Sequence, residues 1–456
     1  MDSVLLSRIQ FAFTSGFHYI YPPLSIGLGL MLVIIEGMYL KTKDPLYKQM
    51  AQFWTKIFAL TFALGVATGL VQLFGFGTNW ASYSRFTGDV FGGALAAEGI
   101  FAFFLESGFL GIMLFGWERV KPKIHYLSTV CVAVGAHFSA IWIVVANSWM
   151  QTPTGFKIVG EGADARAVVT DFWQVVFNPS SVDRLVHVVL GCWLAGIFLF
   201  LSVSAYYALK KKFMKFSERS LKLGLLLAAI VLVLQLISAD SSAEVVAKHQ
   251  PAKLAAMEGV FNTQEGTPMG LIGWADEESK TMNGIKMPGL LSFLVYRDFK
   301  TPVVGLDQIP RDEWPPVNVV FQTYHLMIYM WCLMAVATVA GLLFLRKRTL
   351  AKSKWTLRIL VLSVLFPQIA NQVGWMTAEI GRQPWIVWGQ LRTFQGVSKY
   401  VDAHQVLGSL IMFFVIYMLL FVLFLFLLDR KIKHGPEETK ESEPEFRNVY
   451  EMKSTP

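Results

Sequence analysis

Charge is what this chain is shortest of. Charged residues fill 16% of its 456 positions while hydrophobic types fill 54%, against roughly 25% charged in soluble domains. That balance places the chain outside the ordinary soluble class. Cysteine is scarce as well: Cys131, Cys192 and Cys332 all lie in apolar runs, which excludes a disulfide framework and a CxxC motif. There is no internal repeat. No small-residue cleavage site follows the first apolar run, so that run is read as a retained span rather than a signal peptide.

Long apolar runs are what the chain has instead. Nine fall at 11–38, 53–76, 92–116, 124–148, 182–208, 221–240, 317–345, 357–380 and 404–428. Each is about 20 residues or more, enough for ~30 Å of hydrocarbon at ~1.5 Å per residue. The expectation is an all-α integral membrane protein with about nine transmembrane helices. Basic residues set its orientation. Lys41, Lys43 and Lys48; Arg119, Lys121 and Lys123; Lys210–Lys212, Lys215 and Arg219; Arg346–Arg348, Lys352 and Lys354; and Arg430, Lys431 and Lys433 all fall on one side of nine spans. The positive-inside rule makes that side cytoplasmic, with the N-terminus outside and the C-terminus inside. The net charge of +8 is therefore a topology signal, and nucleic acid is not an expected partner. The chain divides into spans one to six (1–240), a long extracytoplasmic loop (241–316), spans seven to nine (317–430) and a disordered cytoplasmic tail (431–456). The loop opens on Lys248–Glu258, which has the pattern of a short surface helix.

Several spans carry side chains that lipid rejects, and such residues usually mark a functional site. With the orientation above, His18, His187, Met327 and Glu379 all lie toward the outer leaflet on four separate helices. Taken singly, each has a packing explanation; a shared depth points to a shared site. Imidazole with thioether is the ligand set of a six-coordinate, electron-transfer haem, and His18 and Glu379 could each hold a five-coordinate haem open to oxygen. Glu98 and Glu106 sit eight residues apart in span three, about 12 Å along a helix and within one broad face. That spacing suits a proton relay, or two protonated carboxyls that bond neighbouring helices. Arg382, just past span eight, is able to pair with a haem propionate or to anchor the interface. The eight histidines are scattered, with His125, His249, His404 and His434 at or beyond span ends, which argues against a haem–copper site.

At these residues a resemblance appears. The segment Ser7-Arg8-Ile9-Gln10-Phe11 with His18, the stretch EGIFAFFLES at 98–107, Trp142 to Gln151, the loop sequence QPAKLAAMEG and the sequence GWMTAEIGRQPW all match one family. The chain resembles the large, haem-bearing subunit I of cytochrome bd-type quinol oxidases, of the short quinol-loop branch, from about residue 5 to about residue 430. The resemblance implies quinol:oxygen oxidoreductase activity without copper or proton pumping. His187 and Met327 would ligate a low-spin haem b. His18 and Glu379 would each hold one of two high-spin haems, a haem b and a haem d or third haem b. Glu98 and Glu106 would deliver protons, and Lys253 and Glu258 would bind and deprotonate quinol in the 241–316 loop. Arg8, Asn147, Trp375 and Arg382 would line or anchor the haems. Implied partners are a haem-free subunit II, a very small single-helix subunit, membrane quinol and dioxygen, in a bacterial or archaeal plasma membrane. One departure stands out: an arginine that better-known members carry two positions before the ligand methionine is His325 here, a possible competitor of Met327. The alternative is a quinol-oxidising cytochrome b without oxygen chemistry, although the second histidine pair it needs is missing. A transporter is the third reading, and it would more commonly show broken repeat helices.

Overall fold

The computed structural model describes residues 2–437. In chain order its elements are α1 (Ser3–His18), α2 (Tyr21–Thr42), α3 (Pro45–Gly77), α4 (Ala81–Ala97), a π-helical segment (Glu98–Phe103), α5 (Phe104–Phe115) and α6 (Pro122–Gln151). There follow β1 (Phe156–Val159), β2 (Arg166–Val169), α7 (Phe172–Val176), α8 (Ser181–Leu209), α9 (Met214–His249), α10 (Pro251–Glu258), β3 (Met269–Asp276), β4 (Thr281–Met287) and α11 (Leu290–Tyr296). The chain closes with α12 (Val317–Arg346), α13 (Lys354–Leu362), α14 (Leu365–Ile380), β5 (Trp385–Val387), β6 (Leu391–Arg392), α15 (Thr393–Gly396) and α16 (Ala403–His434). Among the described residues, nine helical stretches are long and apolar enough to cross a bilayer. The strands form only three small antiparallel hairpins. The fold is a mostly helical membrane bundle, as expected.

The span ends differ from the sequence reading in instructive ways. The first stretch begins at Ser3, eight residues before the expected 11, and consists of α1 stacked on α2 with His18 at the joint. The sixth continues past 240 to His249, so the outer loop starts on a helix rather than at the membrane surface. The ninth continues to His434, so the start of the expected disordered tail is helical; the remainder, 438–456, lies outside the described residues. Local chemistry sets several boundaries. Lys43 ends α2 in a left-handed conformation, and Asp44 then caps α3 by accepting from the Leu46 N–H at 3.0 Å, with Pro45 at the first helical position.

The bundle is solid at one end and hollow at the other. The solid end carries the basic loops. There Met31, Trp54, Phe58, Phe198, Phe200, Tyr207 and Phe216, from α2, α3, α8 and α9, are almost fully buried in one cluster. Helices α2 and α8 meet glycine on glycine: a Cβ on Gly27 would come within 2.3 Å of the Cys192 carbonyl and 2.6 Å of the Gly196 nitrogen. Close backbone approach through small residues is how membrane helices gain packing energy. At the opposite end the same helices separate around a cavity.

The outer loop has its own small core, in which Leu254, Met257, Phe261 and Met282 pack against Val317, Val320 and Phe321 of α12. Its β3 strand is fixed along α12 by four side chains. Asn318 accepts from the Ala275 N–H (3.2 Å), Gln322 donates to the Gly273 carbonyl (2.8 Å), His325 meets the Gly270 carbonyl (2.8 Å), and Tyr329 donates to the Leu271 carbonyl (2.6 Å). These positions recur every three or four residues, so they form one stripe of the helix.

Candidate functional site

The hollow end is one cavity of about 1690 Å³, larger than the ~300–1,000 Å³ of ordinary small-molecule sites. His18, His187, Met327 and Glu379 all line it, as do Glu98, Glu106, Arg8, Asn147, Lys253, Trp375 and Arg382. Of the expected site residues, Glu258 alone is not on the wall.

Each candidate ligand is held by an identifiable device. The His18 Nδ1 lies 2.9 Å from the Thr68 hydroxyl, which itself donates to the Leu64 carbonyl at 2.7 Å. Thr68 is therefore left to accept, which puts the ring hydrogen on Nδ1 and the lone pair on Nε2. Gly69 leaves room for the ring: a Cβ there would stand 3.1 Å from His18 Cε1. The Gln235 amide nitrogen lies 3.1 Å from each ring nitrogen of His187. Gly374 does for Met327 what Gly69 does for His18, since a Cβ there would stand 2.9 Å from the sulfur. His325, by contrast, directs Nδ1 at the Phe321 carbonyl and Nε2 at the Gly270 carbonyl, each 2.8 Å away, and does not line the cavity. Both of its nitrogens are thus turned to backbone carbonyls, and its Nε2 serves the hairpin.

The Glu379 carboxylate accepts from Asn147 Nδ2 at 2.9 Å and is ion-paired with Arg382. Arg184, which the sequence reading passed over, donates to Asn147 from the other side. Lys253 reaches in from α10 and donates to Gln151 and to Gln250. Burial, with Arg184 and Arg382 nearby, holds the Lys253 amine well below its ordinary range, opposed in part by Glu379. Three basic side chains, Arg382, Arg184 and Lys253, thus surround one carboxylate, while Asp183 is turned to the hydroxyls of Ser241 and Ser242. Buried guanidinium nitrogens remain without partners among the described residues: Nε and Nη1 of Arg382 and Nε of Arg184. Unpaired buried donors are costly, so this wall is built for anionic groups that the chain itself does not supply. Haem propionates are such groups, and imidazole, thioether and carboxylate are haem-iron donors. The residues present fit haem.

On the other wall, Glu98 accepts from the Ser139 hydroxyl at 2.6 Å, and Glu106 is buried with no hydrogen bond from a described side chain. The expected regular helix between them is interrupted by the π-helical segment Glu98–Phe103. Such bulges recur at functional sites, because one extra residue per turn redirects the side chains that follow. Below the cavity a second buried pair occurs. His125, expected at a span boundary, is 2% exposed and lies 2.6 Å from Glu36, which also accepts from Thr129 at 2.6 Å.

Nine candidate spans among the described residues, around a cavity lined by imidazole, thioether and carboxylate groups and by unpartnered guanidinium nitrogens, are the outline of a membrane protein able to hold an anionic cofactor. Comparison with known proteins makes this specific. The chain belongs to the family described as cytochrome bd terminal oxidase subunit I, whose family model matches residues 6–436. It is 40% identical over 449 residues to cytochrome bd ubiquinol oxidase subunit 1 of Bacillus subtilis (strain 168), across 96% of this chain and 95% of that protein. It is 31% identical over 510 residues to cytochrome bd-II ubiquinol oxidase subunit 1 of Escherichia coli (strain K12), across 97% and 99% respectively. Among solved structures, the bd oxidase from Geobacillus thermodenitrificans aligns with a TM-score of 0.89 at 32% identity, covering 95% of this chain and 99% of that one.

Proposed function

We propose that this chain is the haem-bearing subunit of a terminal oxidase that oxidises membrane quinol and reduces dioxygen to water. The observation that carries the reading is the single cavity lined by His18, His187, Met327 and Glu379, with the unpartnered nitrogens of Arg184 and Arg382 on the same wall. Haem, when bound, supplies the one-electron carriers and the iron at which oxygen is reduced. His187 and Met327 would hold a low-spin haem b. His18 and Glu379 would each hold a high-spin haem, a haem b and a haem d or third haem b, with propionates taken by Arg382 and Arg184 and the rings flanked by Arg8, Asn147 and Trp375. Copper has no part in it.

The chain's own groups then move protons. Glu106, Glu98 and Ser139 all line the cavity, and the Ser139 hydroxyl donates to Glu98; these groups would pass protons inward from the cytoplasm. Lys253 and Glu258 belong to the 241–316 unit and would take the protons of quinol on the outer side. Opposite sidedness of proton release and uptake charges the membrane without a pump. The distribution of lysine and arginine supports an outer N-terminus and a cytoplasmic C-terminus. The reading includes a haem-free second subunit, a very small single-helix subunit, and a bacterial or archaeal plasma membrane. Broad apolar surfaces on α4, α5 and α16, such as Leu95, Phe115, Phe414 and Leu419, suit lipid or a membrane partner.

The test is pyridine haemochrome analysis of the purified complex. Haem b, alone or with a chlorin, is expected. A preparation with intact fold and no haem overturns the reading.

A further inference from the structure

The β3–β4 hairpin has two unlike faces. Ala275 and Met282 are buried on one of them, in the same cluster as Phe321 of α12. The opposite face carries Ile272 and Trp274 of β3 and Ile285 and Met287 of β4, all exposed at 46–61%. Strand pairing sets Ile272 across from Ile285 and Trp274 across from Asn283, so these side chains form one patch. A single exposed apolar residue means little, whereas a contiguous patch marks a surface that something covers. Charge gathers at the other end of the hairpin, where Asp276, Glu277, Glu278 and Lys280 make the turn between the strands. The hairpin thus runs from a charged tip to an apolar base.

Its contacts with α12 set its depth. That helix has 30 residues, or ~45 Å at ~1.5 Å per residue, which matches the ~40–45 Å of a bilayer with its headgroups. Arg346, Lys347 and Arg348 mark its far end. About 20 residues of hydrocarbon, counted back from Arg346, reach Leu326. The four hairpin contacts straddle that level, with Asn318 at Ala275, Gln322 at Gly273, His325 at Gly270 and Tyr329 at Leu271. The tip end therefore stands in or above the headgroup layer, and the base meets the edge of the hydrocarbon. Gln322 is itself exposed, and its stripe of α12 continues toward the basic end as Leu326, Leu333 and Val336, all exposed. One apolar surface runs from the hairpin onto the helix.

We propose that the β3–β4 hairpin is a membrane-contact element, its outward face covered by lipid where headgroups meet acyl chains. Trp274 suits that level, because indole has an apolar body and an N–H that stays wet. Lys286 favours lipid over protein as the cover. It is exposed on β4, between Ile285 and Met287. Charged residues are depleted at the centre of protein interfaces. A lysine at the phosphate level instead lays its stem along apolar surface and keeps its ammonium among anionic headgroups. The acidic tip is repelled by the same phosphates and points past them into water.

The experiment uses the purified oxidase complex in nanodiscs of phosphatidylethanolamine and phosphatidylglycerol. Nitroxide labels are placed at Ile272→Cys, Ile285→Cys and Met287→Cys, with Glu278→Cys at the tip as the aqueous reference. Each is made with Cys332→Ser, since Cys332 is the exposed free cysteine among the described residues, and is read against the Cys332→Ser complex alone. All four labelled positions are exposed, so the labels replace no core contact. Dissolved oxygen partitions into lipid and a nickel chelate stays in water; power saturation reads the collisions of each label with both. The labels at 272, 285 and 287 are expected to collide with oxygen and to lose most collisions with the chelate, while the label at 278 meets the chelate freely. A label at Trp274→Cys, nearer the tip, is expected to fall between. Chelate collisions at 272, 285 and 287 equal to those at 278 overturn the proposal, because the face then lies in water. Loss of both kinds of collision also overturns it, because the face is then covered by protein, whether a second subunit or a second copy of this chain.

Discussion

Gly374→Ala is a sharp test of the proposed low-spin site, because it changes one methyl group and leaves both proposed ligands in place. A Cβ at position 374 would stand 2.9 Å from the Met327 sulfur, where ordinary contact begins at 3.4 Å, so the sulfur must retreat by at least the difference, 0.5 Å. The thioether ends a flexible side chain and has somewhere to go: the cavity itself. The protein should therefore fold, with any residual overpacking cost within ~1–3 kcal/mol. What it cannot keep is the sulfur's position. A low-spin, six-coordinate haem has no open face for carbon monoxide; a haem that has lost its thioether does. Reduced Gly374→Ala oxidase should therefore show carbon monoxide binding at the b-type low-spin haem, and partial loss of its sharp reduced-state spectrum. Gly408→Ala is the control, since a Cβ there meets no described atom within 4 Å, and it should leave the spectrum alone. A Gly374→Ala enzyme with a full low-spin spectrum and no new carbon monoxide signal would show that Met327 is not the sixth ligand, or that its position is not set by this contact.

Three other outcomes follow. His187→Ala or Met327→Leu should abolish the low-spin signal and quinol oxidation while artificial donors still drive oxygen uptake; a normal low-spin spectrum in either refutes the pair. Thr68→Val removes the acceptor that orients His18, and loss of an outer-shell partner typically lowers metal affinity about 10–100-fold. Haem titration of the depleted complex should show this as weaker retention at one high-spin site, and unchanged retention would separate Thr68 from the ligand. Glu106→Gln keeps the shape but cannot carry a proton, so oxygen reduction should slow more than haem-to-haem electron transfer; unaltered turnover and charge separation in proteoliposomes would make the carboxylates packing residues.

The membrane class and the ligand candidates were legible because lipid makes polar residues conspicuous: a histidine, glutamate or arginine in an apolar run stands out against its neighbours. The same signal failed wherever a helix turns a polar face inward. The first span reads late because Ser7, Arg8 and Gln10 look like loop, although Ser7 and Gln10 are buried in α1. Thr68 and Ser139 are indistinguishable in sequence from helix-packing hydroxyls, and only geometry ties them to His18 and Glu98. Arg184 resembles an interface anchor until its Nε is seen to be buried and unpartnered. His125 does sit at its span boundary, in the first turn of α6, but its burial is invisible in sequence because nothing in the chain announces Glu36, 89 positions away. The π-helical segment left no trace, since a change of helical pitch has no composition of its own.

The stripe of Asn318, Gln322, His325 and Tyr329 has a mechanical consequence. It fastens β3 to the helix that carries Met327 at four heights. The outer loop and the ligand helix are thereby one mechanical part. The spacing between each hairpin contact and Met327 is then measured along a helix, at ~1.5 Å per residue. On the proposed reading of Met327 as a haem ligand and the loop as the quinol site, the loop could change sequence to suit a different quinol while these four contacts hold it at one distance from the haem.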